Sequence, residues 1–288
     1  MIIRIITAVA GIIAAAGIIT YGEWVFGAAV LLLSGAAWVE MSNMGEACGR
    51  HLYFVTCGGG TLALVALAAL GFTLELQELF ILAFLLMTLV FAALLVTFEG
   101  LWRHCHYDEP DWVGDVSFNV FTLIYCGLLF AHVILVRTVA GPRVWALVKF
   151  MDYGEALLWL VLFGTWASDT FAYFVGVSCG RHKFCSVSPK KSWEGAVGGF
   201  LGSMSVVILL GVHILGMPSW QAHVLGFAIA LVAPVGDLVE SVIKRNCGVK
   251  DSGKLLPGHG GVLDRFDSLL FVAPVAYYVW YITGSFLE

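Results

Sequence analysis

The sequence predicts an all-α, polytopic integral membrane protein of about nine transmembrane helices with charged loops on one side. Two observations carry that prediction. Of 288 residues, 60% are hydrophobic and only 12% are charged, with a mean hydropathy of +0.92, which leaves too little polar side chain to cover a soluble globule. Nine segments also meet or approach the roughly 20 apolar residues that a helix needs to cross a bilayer.

In order, these segments are Ile5–Thr20, Trp24–Val39, Tyr53–Phe72, Leu79–Thr97, Val116–Val136, Ala156–Val177, Gly195–Leu215, Gln221–Glu240 and Ser268–Phe286. The first reads as a retained span, because no small-residue cleavage site with a soluble chain follows it. Nine spans put the N-terminus and the loops after spans two, four, six and eight on one side. That side holds 12 of the 15 Lys and Arg residues, against Arg137, Arg143 and Lys149 on the other. The positive-inside rule therefore predicts cytoplasmic basic loops and a C-terminus on the opposite face. The net charge of −5 hides this asymmetry and says little about partners; a bilayer is expected, and nucleic acid is not.

The chain divides by character into residues 1–155, about five spans, and residues 156–288, about four spans with charged loops at 178–194 and 241–267. Nothing in the first part asks for chemistry. His104, Cys105, His106 and Asp108 are all metal-ligand types in a loop position, but His104 and His106 are two apart and would not share a helical face, so a polar interfacial loop is the plainer reading. Gly58, Gly59 and Gly60 suit close helix packing. The seven cysteines show no paired spacing and read as free thiols.

In the second part Trp166, Asp169 and Tyr173 fall at i, i+3 and i+7 and line one face of span six. A carboxylate within an apolar span is costly, so Asp169 marks either a functional site or a structural hydrogen bond. The loop Gly180–Gly195 carries Arg181, Lys183, Lys190 and Lys191 with several serines. Pro234 predicts a kink or break near Gly236. Beyond it, Asp237, Ser241 and Lys244 present carboxylate, hydroxyl and ammonium along one face. Gly258, Gly260 and Gly261 permit positive φ and would let N–H groups converge on an anion. Asp264 and Asp267 sit three apart at a helix start, where negative charge is favourable.

The densest chemistry thus lies between Asp237 and Asp267. Five cations (Lys244, Arg245, Lys250, Lys254, Arg265) and five acids (Asp237, Glu240, Asp251, Asp264, Asp267) surround a Gly-His-Gly-Gly turn. Acids can hold a hard metal ion, while cations and backbone N–H groups can hold phosphates; together they suit a metal–nucleotide complex.

Ser241 to Asp267 resembles the signature of the phosphatidate cytidylyltransferase (CDP-diacylglycerol synthase) family at every fixed position: Ser241, Lys244-Arg245, Lys250-Asp251, Leu256-Pro257, His259-Gly260-Gly261, Asp264-Arg265 and Asp267. Two upstream runs, Asp169 to Gly176 and Ser188 to Gly195, are similar to the family's other motifs, with Ser192 where many members carry Thr. The firm likeness covers 165–267. It implies an enzyme that joins CTP and phosphatidic acid into CDP-diacylglycerol and pyrophosphate, uses Mg²⁺ with K⁺ as a second cation, and forms a homodimer.

On this reading Asp237 and Asp264 are the expected metal ligands, supported by Asp267 and Asp169. Lys244, Arg245, Lys250 and Arg265 would grip the triphosphate, and Lys190 and Lys191 a nucleotide or lipid phosphate. Ser192, Asp251, Gly260, Gly261 and Tyr173 complete the expected substrate contacts. His259 either donates to the leaving pyrophosphate or fixes the turn. A CTP-using lipid kinase and an ion-coupled transporter are the alternatives; the transporter is suggested by the buried acid and the Pro-broken span.

Overall fold

The computed structural model describes residues 2–107, 111–146, 149–183, 185, 188–255 and 260–284. His259, Gly258 and Asp108 lie outside the described residues. Helices make up nearly all of it. Eight of the described helical segments are long and apolar enough to cross a membrane, and the apolar helix α1 (Ile2–Tyr21) precedes them, in line with the predicted count. The chain forms two compact units, residues 1–135 with 244–265, and residues 136–243 with 266–288.

The first unit contains α1, α2 (Glu23–Ala47), a π-helical turn (Phe54–Gly58) leading into α3 (Gly59–Thr73), α4 (Glu78–Tyr107), and α5 (Trp112–Thr122), continued by a second π-turn (Leu123–Leu128) into α6 (Leu129–Thr138). Its helices are apolar all round, so packing cannot be directed by hydrophobicity and falls to small residues. A Cβ at Gly60 would lie 2.8 Å from Ala92 and Leu123, and one at Gly27 would lie 2.7 Å from Ala69. Of Gly58, Gly59 and Gly60, the first and last therefore serve close approach, while a Cβ on Gly59 would meet nothing within 4 Å. On α4, Phe84, Met87, Phe91, Leu94 and Phe98 are exposed, a lipid-facing stripe at helical spacing, while Ile81, Leu85, Ala92 and Val96 are buried.

Irregular backbone at membrane depth needs a protein partner. Asn119, fully buried, supplies one. Its Oδ1 accepts the Tyr53 N–H at 2.7 Å and its Nδ2 donates to the His51 carbonyl at 2.7 Å, fastening the entry to the first π-turn. The His104 to His106 stretch is the last turn of α4 rather than a loop; His106 stacks on Trp102, one turn earlier.

The second unit opens with a short antiparallel hairpin, β1 (Val144–Ala146) and β2 (Lys149–Met151), which the all-α expectation omits. It continues with α7 (Tyr153–Cys179), α8 (Trp193–His213), the first part of α9 (Ser219–Asn246) and most of α10 (Leu263–Gly284). Helices α7 and α8 meet through glycines at 195, 199 and 202, whose added Cβ atoms would strike the Ala172 carbonyl, the Ser168 carbonyl and the Phe171 ring. Helix α9 runs on through Pro234, so of the expected kink or break the chain shows no break. Gly236, two residues farther, has its α-carbon against α10: a Cβ there would lie 2.5 Å from the Asp267 carbonyl oxygen.

Candidate active site

The structure gathers part of the predicted site into two clusters of charged residues, one in each unit. In the first unit the Asp264 carboxylate, only 8% exposed, collects donors on both oxygens. Oδ1 accepts Lys244 Nζ at 2.6 Å; Oδ2 accepts the Ser252 N–H at 2.9 Å, the Ser252 hydroxyl at 3.0 Å and the Gly261 N–H at 2.9 Å. Hydrogen bonds to a charged group are worth about 1.5–3 kcal/mol each, so this carboxylate is held firmly.

Beside it lies Glu40, on α2. Its Oε1 accepts the Val262 N–H at 2.7 Å, and its Oε2 accepts the Leu263 N–H at 3.0 Å and the Ser252 hydroxyl at 2.9 Å. Glu40 is 5% exposed. The N–H groups it binds are among those a helix start leaves without an intrahelical partner, so a carboxylate from α2 caps α10. The glycines of the turn make room for it. Gly260 takes φ of 84°, and a Cβ on Gly261 or Gly253 would lie 2.4 or 2.7 Å from a Glu40 oxygen. Of the N–H groups expected to receive an anion, that of Gly261 receives Asp264, and the next two, of Val262 and Leu263, bind Glu40.

Sequence reasoning missed Glu40. It ended the second span at Val39, whereas α2 continues to Ala47 because the carboxylate that interrupts the apolar run is matched by donors from the turn. A Glu inside a helix that otherwise reads as a span was the available signal.

The second cluster is more open. Lys191 Nζ, shielded from solvent, stands 2.7 Å from Asp237 Oδ2, and the Ser241 hydroxyl donates to Asp237 Oδ1 over 3.3 Å. Asp169 on α7 interacts electrostatically with both Asp237 and Lys191, and it is exposed. Two carboxylates thus lie in range of one ammonium, leaving negative charge that a divalent cation would neutralise. Among the described residues no three His, Cys, Asp or Glu side chains form a metal-holding group.

The remaining predicted residues are placed as follows. Ser192 is buried and caps α8, accepting the Gly195 N–H at 3.1 Å, and so is occupied structurally. Glu194 closes the basic loop by accepting from the Arg181 and His182 N–H groups. Arg245 is exposed and donates to the Val249 carbonyl at 3.1 Å. Lys190, Lys250, Asp251, Arg265 and Tyr173 are exposed. Asp267 Oδ1 accepts the Ser268 N–H at 2.6 Å. Helix α9 carries both Asp237 and Lys244, seven residues or about two turns apart on one face.

Residues 2–283 match the family model described as the cytidylyltransferase family. The chain belongs to the cytidylyltransferase family. It is a nucleotidyltransferase, and its apolar helices place it in a lipid environment. Among its relatives, a phosphatidate cytidylyltransferase of Synechocystis is 34% identical over 292 residues, covering 96% of this chain and 94% of that protein. One of Thermotoga maritima is 47% identical over 142 residues, covering 46% of this chain and 51% of its own. A chloroplastic phosphatidate cytidylyltransferase of Arabidopsis thaliana is 38% identical over 177 residues, 57% of this chain and 45% of that protein. The family match extends well beyond 165–267 and includes Glu40.

Proposed function

We propose that the chain is a phosphatidate cytidylyltransferase, joining CTP and phosphatidic acid into CDP-diacylglycerol and pyrophosphate. What supports this reading beyond the relatives is a single structural observation. Two lysines of the family motifs rest on two aspartates of the family motifs, Lys244 on Asp264 and Lys191 on Asp237. An ammonium parked on a carboxylate is a phosphate-binding group whose charge is held in place until an anion arrives.

In this reaction a phosphate oxygen of the lipid attacks the α-phosphorus of CTP. The new P–O bond forms as the bond to the β-phosphate breaks, and pyrophosphate leaves with the electron pair. Both reactants are anionic, so the protein's task is to neutralise and align them. A phosphate monoester is nucleophilic at neutral pH, and no strong general base is needed. Lys244, tethered through Asp264, is assigned to the CTP phosphates with Arg245, Lys250 and Arg265 at the exposed rim. Lys191, tethered through Asp237, is assigned to the second phosphate with Lys190.

A divalent cation fits Asp237 with Asp169, the undercompensated carboxylates, and when bound would supply further neutralisation of phosphate charge. Asp264 is assigned to hold Lys244, since its oxygens are already engaged. The excess of Lys and Arg in the loops that carry these residues supports a cytoplasmic site, with residue 288 on the opposite face; a reporter fused after Glu288 should then give no cytoplasmic signal.

The deciding experiment is incubation of the purified chain in detergent micelles with phosphatidic acid and CTP labelled in the cytidine. Labelled CDP-lipid with release of pyrophosphate is expected. Phosphorylated lipid with release of CDP, or no nucleotide turnover, would reject the assignment.

A further inference from the structure

The carboxylate of Glu40 belongs to a helix far from the signature in sequence, yet the three hydrogen bonds described above all reach it from the signature turn. Two are backbone N–H groups at the start of α10, and the third is the Ser252 hydroxyl. That hydroxyl also reaches Asp264 at 3.0 Å. With one proton to give, it serves the two carboxylates in turn and couples them. Asp264 in turn holds Lys244 at 2.6 Å. A chain of contacts therefore runs from α2 through Ser252 and Asp264 to the ammonium assigned to CTP.

Packing alone does not require this arrangement. A buried carboxylate is costly unless well supplied with donors, and an apolar residue at position 40 would satisfy a span more cheaply. Its cost is offset by fixing both ends of one short stretch: Ser252 before the turn, and the first N–H groups of α10 after it. Gly253 and Gly261 leave room for a carboxylate and no more. Displacing Glu40 frees the start of α10, which carries Asp264.

We propose that Glu40 is a positioning residue for nucleotidyl transfer, setting the place of Asp264 and, through it, of Lys244. The role rests on the cytidylyltransferase reading for its substrate, but its geometry can be read without turnover. It predicts that Glu40 acts on the rate more than on nucleotide affinity, because Lys244 remains present but is misplaced.

The test compares the full-length chain with Glu40→Gln, Ser252→Ala and the double variant, in detergent micelles with CTP and phosphatidic acid. Glu40→Gln is expected to lower kcat by about 100-fold, the cost of a misplacement on the order of 1 Å, with KM for CTP changed less than about threefold. The double variant should be no slower than Glu40→Gln, since residues in one network are not additive. In parallel, acylation of Lys244 by an amine-reactive ester, followed by peptide mass spectrometry, should rise in Glu40→Gln while Lys190 labelling stays constant.

Unchanged kcat, additive effects in the double variant, or unchanged Lys244 labelling would overturn the proposal. So would loss of the monodisperse chain in both Glu40→Gln and Glu40→Asp, which would leave Glu40 a role in stability alone. Failure of the wild-type chain to turn over CTP would instead reject the functional reading, with the Lys244 labelling still deciding the position of the turn.

Discussion

The two aspartate clusters use the same side chains to different ends. Asp264, in the first unit, accepts four donors across its two oxygens and is nearly closed to solvent. Asp237, in the second unit, accepts one ammonium and one long hydroxyl contact and is 34% exposed. A carboxylate supplied with donors by the protein suits a fixture, and an undersupplied one suits a binding group; we propose that the aspartates of this signature divide in that way.

This contrast can be broken most directly at Asp264. Asp264→Asn should lower kcat by about 100-fold or more, and should also destabilise the chain by roughly 3 kcal/mol, because Lys244 is left without its buried counter-charge. Thermal unfolding in detergent reads the second effect. An inactive variant with unchanged melting would make Asp264 a ligand rather than a fixture.

Asp237→Asn should show the opposite balance. Melting should be unchanged, and the Mg²⁺ concentration needed for half-maximal turnover should rise by about 10- to 100-fold. Metal titration checks this, and a normal metal requirement would remove Asp237 from the cation. Chelation of divalent cations should abolish wild-type turnover and leave the melting temperature of the first unit's turn mutants unaffected. Lys191→Met comes next, with an expected loss of about tenfold in kcat/KM. Its melting should hold, since Asp237 and Asp169 are open enough to water to stay hydrated.

The smallest effect is expected at an exposed pair that serves neither cluster. Asp111 caps α5 by accepting the Gly114 N–H at 3.0 Å. The hydrogen bond from Arg50 holds the Asp111 carboxyl below its ordinary value. Its contribution to stability is therefore full above about pH 4, the ordinary carboxylate value, and is lost as pH falls through the lowered native value. Melting of the wild-type chain should fall on acidification slightly more than that of Asp111→Asn, and activity at neutral pH should not differ. Equal acid sensitivity would mean that Arg50 and Asp111 do not hold together in solution.

Much of the architecture was readable because it follows from hydropathy alone. Runs such as Leu79–Thr97 must be helical and span a bilayer, since no other form satisfies the backbone in lipid. The signature was equally readable, because the types and spacing of Lys244, Gly260, Asp264 and Asp267 are local in the chain. Pro234 is local too: it removes one backbone donor, and the helix continues through it.

What the amino-acid order determined by itself was therefore the spans, their family and the set of charged groups on which the proposed chemistry draws. Which carboxylate pairs with which ammonium was decided only by tertiary structure, as was the entry of Glu40 from α2 to cap α10. The physical reason is that hydropathy is a property of each segment, whereas a buried charge is settled by donors that can come from 222 residues away.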